Sequence, residues 1–219
     1  MSMVTAASVT RKGIDVWRLL GRVFLTLLVL FAVLPMVYMV ITSIKTQFAA
    51  LQFPPEWWPS NPTLDQYWTL LNPASDVGQE FLGYMWNSIW VCTITTILGV
   101  AVAVPAAYAF SRFRFPGRQW LFYAVLLRNM FPAVVFLMPL FILMRWLHLV
   151  NSDWSLVLTY LTFGLPLSIW LLKGFYDNIP VQLEQSARID GATRFQAFIL
   201  VVMPLSSPGI IATAIYSFI

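Results

Sequence analysis

Ile89-Trp90-Val91-Cys92-Thr93-Ile94-Thr95-Thr96-Ile97-Leu98-Gly99-Val100-Ala101-Val102-Ala103-Val104-Pro105-Ala106-Ala107-Tyr108-Ala109-Phe110 contains no charged residue from end to end. A bilayer core takes roughly 20 mostly apolar residues of helix, and this run is long enough. The rest of the chain repeats the pattern. Val23 to Thr42 is uncharged, Trp120 to Met144 is interrupted only by Arg128 and Asn129, and Trp154 to Leu172 is again apolar. A fifth run begins near Leu205 and is still apolar at Ile219. Hydrophobic residues make up 59% of the chain and charged residues 10%, with a mean hydropathy of +0.76. A soluble domain averages about 45–50% apolar and about 25% charged. A globular core could not hide this much apolar surface, whereas lipid can. The 10 Trp and 17 Phe often flank the runs, where amphipathic rings favour the headgroup level. The expected fold class is an all-α polytopic integral membrane protein with five transmembrane helices.

Several function classes fall away on composition. No Lys/Arg stretch is interleaved with aromatics on a polar face, which argues against nucleic acid as a partner. Cys92 is the sole cysteine, so no internal disulfide forms. His148 has no second ligand-type neighbour at metal spacing, and zinc sites need three or four ligands; no metal site is assigned. No nucleophile–base pair stands out, so no catalytic residue is assigned and the chain reads as a non-enzyme. A channel or ion-coupled carrier working without ATP would be expected to carry intramembrane carboxylates, and the uncharged runs hold none.

Lysine and arginine counts in short loops set orientation. The N-terminal tail (1–22) carries Arg11, Lys12, Arg18 and Arg22; the loop after the second run carries Arg112, Arg114 and Arg118. The loop after the fourth carries Lys173, Arg188 and Arg194, whereas the opposite side has only Lys45 and Arg145. The N-terminus is therefore expected in the cytoplasm. The first run is longer than a signal-peptide core and no small-x-small cleavage site follows, so it reads as a retained helix. The transmembrane domain is then 23–219, with an outer loop at 43–82 and a cytoplasmic loop at 177–204. Counted from Gly209, the last run is too short to cross a bilayer at ~1.5 Å rise per residue. The natural chain is accordingly expected to continue past Ile219.

The outer loop opens with Phe53-Pro54-Pro55-Glu56-Trp57-Trp58-Pro59, proline-rich and extended. Asn61-Pro62-Thr63 then starts a short helix with Leu64, Tyr67, Trp68 and Leu71 on one stripe. That stripe lies on the membrane surface or the bundle, or docks an external partner.

The cytoplasmic loop is the most ordered in pattern. Asn178 can cap, and Pro180 suits a first helical turn. Gly191 can take the left-handed conformation that ends a helix. Thr193 with Gln196 makes a capping-box pair for a second helix running Phe195 to Met203 before Pro204. The prediction is helix, glycine turn, helix.

Glu184, Ala187, Asp190-Gly191-Ala192, Gln196-Ala197-Phe198 and Pro204-Leu205 stand in this loop in that order. The segment resembles the EAA loop of binding-protein-dependent ABC importer permeases, nearest to the carbohydrate-importing branch with its smaller maltose permease subunit. Further islands match in order: Asn61-Pro62-Thr63-Leu64, Asn87-Ser88, Ala107 to Arg112 leading to Phe115-Pro116-Gly117, and Met130-Phe131-Pro132. The resemblance implies a coupling loop of Glu184, Gln185, Ala187, Asp190, Gly191, Ala192 and Pro204, seated on a cytoplasmic ATPase. It also implies a second homologous permease subunit, an ABC ATPase dimer, an external solute-binding protein and a bacterial or archaeal cytoplasmic membrane. A sugar or polyol is the implied solute, with a glycerol-phosphate as the alternative. The chain has no Gly-x-x-x-x-Gly-Lys-Ser/Thr phosphate cradle, so ATP and its magnesium fall to the partner, and this chain needs no cofactor. One departure stands out. The family's usual second acidic residue is replaced in the pair Gln185-Ser186, and a glutamine lacks the charge-assisted strength of a carboxylate. Either Glu184 compensates or that contact is weaker.

Arg128 and Asn129 interrupt the third run. An ionisable group there is costly and a functional hypothesis by default. Arg128 pairs with a carboxylate of a partner permease, lines the translocation pathway with Asn129, or snorkels to the cytoplasm. Pro35, Pro105, Pro132, Pro139 and Pro166 are expected to kink their helices.

Overall fold

The uncharged runs become helices, and among the described residues all regular structure is helical. The computed structural model describes residues 16–219, so most of the tail read as 1–22 lies outside the described residues. Two compact units divide between Leu82 and Gly83.

In the first unit, α1 (Val16–Ser43) spans 28 residues, beginning ahead of the apolar run proper. None of its residues is buried, as suits a helix whose neighbours are lipid or another chain. Beyond it come α2 (Gln47–Leu51), capped by the Thr46 hydroxyl, and α3 (Asp65–Leu71), the short helix predicted after Asn61-Pro62-Thr63. Lys45, counted from sequence among the charges of the outer side, is only 1% exposed. Its ammonium donates to the Glu56 carbonyl and sits 5.0 Å from the Tyr38 ring centroid. The Gln66 amide donates to the Lys45 carbonyl, and Tyr67 Oη donates to Ser43 Oγ at 2.7 Å. A buried cation needs such partners, and here they pin the proline-rich stretch and α3 to the end of α1.

The second unit is built on α4 (Asp76–Arg112), whose 37 residues start in the first unit and contain the whole Ile89–Phe110 run. Gly117, at φ 79°, turns the chain into α5 (Arg118–Leu127). A 3-10 turn, Arg128–Met130, leads to α6 (Ala133–Trp146). The two are bent by 103°, where the sequence suggested one interrupted helix. Phe131 explains the break: a residue before proline is pushed out of the helical region, and Phe131 is extended (φ −86°, ψ 136°). Next, α7 (Asp153–Asn178) is capped by Ser152 and spans 26 residues.

Then follow α8 (Val181–Ile189), α9 (Arg194–Ala197), a π-helical turn at Phe198–Val202 and α10 (Met203–Leu205). A 73° bend leads to α11 (Ser207–Phe218), with Pro208 in its first turn. Pro35, Pro105, Pro139 and Pro166 lie inside unbroken helices. The bends of 103° and 73° fall at breaks between helices, the first at Phe131-Pro132 and the second at Ser206, between Pro204 and Pro208. Among the described residues three helices, α1, α4 and α7, are each long and apolar enough to cross a membrane; the number rises to five if each bent pair is one span.

The core of the second unit lies at one end of α4. Ala103 and Ala107 are fully buried and stand one turn apart, letting backbones approach as small residues do in membrane helix packing. Leu172 and Tyr176 of α7 and Val202 of the π turn, all at 0% exposure, close the same cluster. The end of α4 is thus packed against both flanks of the loop that joins α7 to α11.

Candidate functional site

That loop is assembled as its punctuation suggests, with one shift. Asn178 does not cap a new helix. It ends α7, donating its side-chain amide to the Gly174 carbonyl at 2.9 Å, and Pro180 is the residue before α8. Proline cannot continue α7 because it lacks the N–H, so the chain turns there. At the other end of α8, Gly191 adopts φ 99°. The Ala192 N–H donates to Ala187 O at 3.0 Å and the Gly191 N–H to Arg188 O at 3.2 Å. These paired bonds around a left-handed residue form a Schellman motif and satisfy the last carbonyls of the helix. The capping box is present as expected. The Gln196 N–H donates to Thr193 Oγ1 at 3.2 Å, and the Thr193 N–H to Gln196 Oε1 at 2.8 Å.

Glu184 takes a position that spacing did not foretell. It is buried, turned away from the surface of α8 and towards α4. One carboxylate oxygen accepts from Arg112 Nε, and the other accepts from Tyr108 Oη at 2.9 Å. In this ion pair both side chains are only 9% exposed. The same guanidinium donates through Nη2 to Ile179 O at 2.7 Å, within the link between α7 and α8. Beside it, Ser111 Oγ donates to Asp177 Oδ1 at 2.6 Å, whose other oxygen accepts from Lys173 at 2.5 Å. The Tyr108 ring lies 4.4 Å from that of Phe198, centroid to centroid. Two charged side chains in so dry a place survive only when paired and hydrogen-bonded, and here every strong group of the cluster has a partner.

Gln185 and Asp190 have a different outlook, and Ala192 is half-buried. Gln185 and Asp190 are exposed, Ala187 is half-buried, and Ile189 and Phe195 present apolar side chains at 86% and 69% exposure. Gln185 also lines a cavity of about 140 Å³, which it shares with Arg188 and Arg194 and with Tyr108, Arg112 and Glu184. Pro204 sits in α10, ahead of the bend at Ser206. Among the assigned loop residues Glu184 is thus buried against Tyr108 and Arg112, while its neighbour Gln185 is exposed.

Tyr108 and Arg112, the partners of Glu184, were named from sequence only within the matching island Ala107 to Arg112, and Arg112 as a loop charge; neither was assigned to the site. Their spacing did hold a signal. Residues four apart share one helix face, and a tyrosine and an arginine together at the polar end of an apolar helix await an acceptor.

Arg128 and Asn129 are not brought into this cluster. They form the 3-10 turn at the α5–α6 break, where Arg128 donates to Asn129 Oδ1 at 3.2 Å. The guanidinium carbon lies 3.6 Å from the Phe163 ring centroid and 5.0 Å from that of Phe136. Its Nε and Nη2 are buried without a hydrogen-bond partner. Ring faces attract a cation but leave those two N–H groups unmet.

Residues 96–219 match the family described as "Binding-protein-dependent transport system inner membrane component". The chain is 38% identical over 194 residues to the trehalose transport system permease protein SugB of Mycobacterium tuberculosis (strain CDC 1551 / Oshkosh), covering 89% of this chain and 68% of that one. It is 36% identical over 185 residues to the sulfoquinovosyl glycerol transport system permease protein SmoH of Agrobacterium fabrum (strain C58 / ATCC 33970), covering 84% and 63%. It is 38% identical over 176 residues to the maltose/maltodextrin transport system permease protein MalG of Vibrio vulnificus (strain YJ016), covering 74% and 59%. The chain thus spans 59% to 68% of the length of these curated relatives. In fold it is similar to a chain in the crystal structure of a bacterial ABC transporter involved in the import of the acidic polysaccharide alginate. The TM-score is 0.69 at 23% identity, covering 99% of this chain and 72% of that one.

Proposed function

We propose that this chain, which belongs to the family of binding-protein-dependent transport system inner membrane components, is a membrane subunit of an ATP-driven importer of a sugar or polyol. In this reading the loop 177–204 is cytoplasmic, as is the N-terminus, and couples the membrane helices to a separate ATPase. The membrane is a bacterial or archaeal cytoplasmic membrane. A second, related permease subunit, an ATPase dimer that binds ATP and magnesium, and an external solute-binding protein complete the assembly. Two kinds of relative support the solute class: those named for trehalose and for maltose or maltodextrin transport, and one named for sulfoquinovosyl glycerol transport.

The observation that carries the proposal is the rigid two-helix loop. A Schellman turn and a capping box join α8 to α9, and a buried ion pair fastens α8 to α4. A solvated linker needs none of these. A lever that must transmit force needs all of them. Gln185, Asp190, Gly191, Ala192, Ile189 and Phe195 would then meet the ATPase, with Glu184 and Ala187 setting the angle of α8 behind them and Pro204 shaping the exit to α11. Arg128 and Asn129 are assigned to the translocation pathway. Irregular backbone at membrane depth is tolerated only where it is buried in protein or lines a cavity, and discontinuous helices commonly build transport sites.

The test is affinity purification of the full-length protein in mild detergent, with mass spectrometry of what co-purifies, repeated with Gly191→Pro. Recovery of an ABC ATPase that the variant loses supports the reading. Absence of any ATPase under conditions that preserve membrane complexes overturns it.

A further inference from the structure

The loop is joined through the backbone to α7 at one end and to α11 at the other. Its attachment to α4 is of another kind, made by side chains alone and across a sequence separation of 72 residues between Arg112 and Glu184. Arg112 holds two points of the loop at once: the Glu184 carboxylate of α8 and the Ile179 carbonyl just before it. Tyr108, one turn back on the same helix face, takes the second carboxylate oxygen at 2.9 Å. The pair is nearly dry, with 9% exposure on each side. Separating such a pair leaves two largely buried charges without their partners, which is unfavourable. The joint therefore moves as one piece rather than stretching. Helix α4 is continuous from Asp76 to Arg112, so a displacement at its last turn is carried along its length.

We propose that Arg112 is the positioning residue through which the loop drives α4, and that Glu184 works as the inward latch of this joint rather than as a contact to the ATPase. The inference rests on the coupling role proposed above and extends it. A third membrane helix, with no backbone link to the loop, follows the stroke of α8. Tyr108 and the Ser111–Asp177 hydrogen bond, 2.6 Å long, keep the joint in register. Of the two candidates for the missing family carboxylate contact, Glu184 is thereby unavailable, and the outward task falls to Gln185.

The experiment uses the full-length protein assembled with its partner permease and ATPase in lipid nanodiscs, in a Cys92→Ser background. Spin labels are placed at Val102 on α4 and Leu137 on α6, which are 50% and 67% exposed. Pulsed electron paramagnetic resonance then compares the label separation without nucleotide and after trapping with ATP and orthovanadate. The unsubstituted joint should show a shift. Read in assemblies that retain the ATPase, Arg112→Glu or Glu184→Arg should abolish it, the double swap should restore it, and Arg112→Lys should retain it. A structural brace that does not transmit motion would leave the shift unchanged in the single variants. That result overturns the proposal, as does a failure of the double swap to restore the shift, or a shift absent from the unsubstituted assembly. If the reversals do not assemble, Tyr108→Phe is read in their place; it removes one bond without adding charge and should shrink the shift, an unchanged one being the overturning result. Failure of the unsubstituted protein to capture an ATPase is a separate outcome, which sinks the coupling role itself.

Discussion

The ring of Phe175 in α7 lies directly over the Cα of Gly209 in α11, so closely that a Cβ built on Gly209 would stand 2.4 Å from the ring Cγ. No side-chain carbon tolerates that distance, and the nearest obstacle is an aromatic ring rather than the free end of a flexible chain.

Gly209→Ala should therefore force α7 and α11 apart or drive Phe175 off its rotamer. Overpacking of this kind costs about 1–3 kcal/mol. The expected outcome is a lower unfolding temperature of the detergent-solubilised protein, largely regained in Gly209→Ala with Phe175→Leu. If Gly209→Ala matches the unsubstituted protein in a thermal scan, the close approach is wrong.

Gly191 offers the opposite test, because nothing lies within 4 Å of a Cβ built there and only the backbone angle, φ 99°, resists substitution. A left-handed residue other than glycine costs about 1–2 kcal/mol, and asparagine is the residue that pays least. ATPase capture in co-purification should fall in the order Gly191, Gly191→Asn, Gly191→Ala, Gly191→Pro. Equal capture by the alanine and asparagine variants would show that the turn is not what matters.

Gln185 is exposed on the outward face of α8, where the family usually presents a carboxylate. Gln185→Glu should tighten the hold of the ATPase on the loop, since a charge-assisted hydrogen bond gives about 1 kcal/mol more than a neutral one. That corresponds to roughly a fivefold gain in affinity at low salt, shrinking as salt rises. Titration of the purified ATPase against both forms at two ionic strengths reads it directly; weaker binding by the variant would mean that the facing surface is acidic.

Arg128 is held by the Phe163 face at 3.6 Å and leaves two nitrogens unmet. An unsatisfied buried donor costs about 1–3 kcal/mol, so Arg128→Leu should unfold at the same temperature as the unsubstituted protein or higher. ATPase capture should be unaffected, while uptake of the sugar retained by the cognate binding protein should fall at least severalfold. Unaltered uptake would remove Arg128 from the pathway.

Much of the architecture was legible because lipid and backbone impose short-range rules. An uncharged run such as Ile89–Phe110 must become a helix, since every backbone group in hydrocarbon has to be satisfied within its own segment. Gly191, Thr193 and Gln196 likewise act on neighbours only a few residues away, and the Schellman turn and capping box appeared where those residues stand. The 103° bend at Phe131-Pro132 was less legible. Six prolines sit in apolar runs: four are absorbed into unbroken helices, Pro132 stands at the 103° bend and Pro208 opens α11; whether a proline bends or breaks its helix depends on what surrounds it.

The long-range pairings were beyond reach. That Lys45 would be buried under Tyr38, that Phe175 would rest on Gly209, and above all that Glu184 would turn inward to Tyr108 and Arg112 depended on the packing of helices far apart in the chain. The sequence alone determined that this is a multi-span membrane protein with a helix–glycine–helix loop, because composition, periodicity and capping act locally. Only the tertiary structure decided which face of α8 is buried, because an electrostatic partner is chosen by proximity in space, and Arg112 reaches Glu184 only once α4 and α7 have packed.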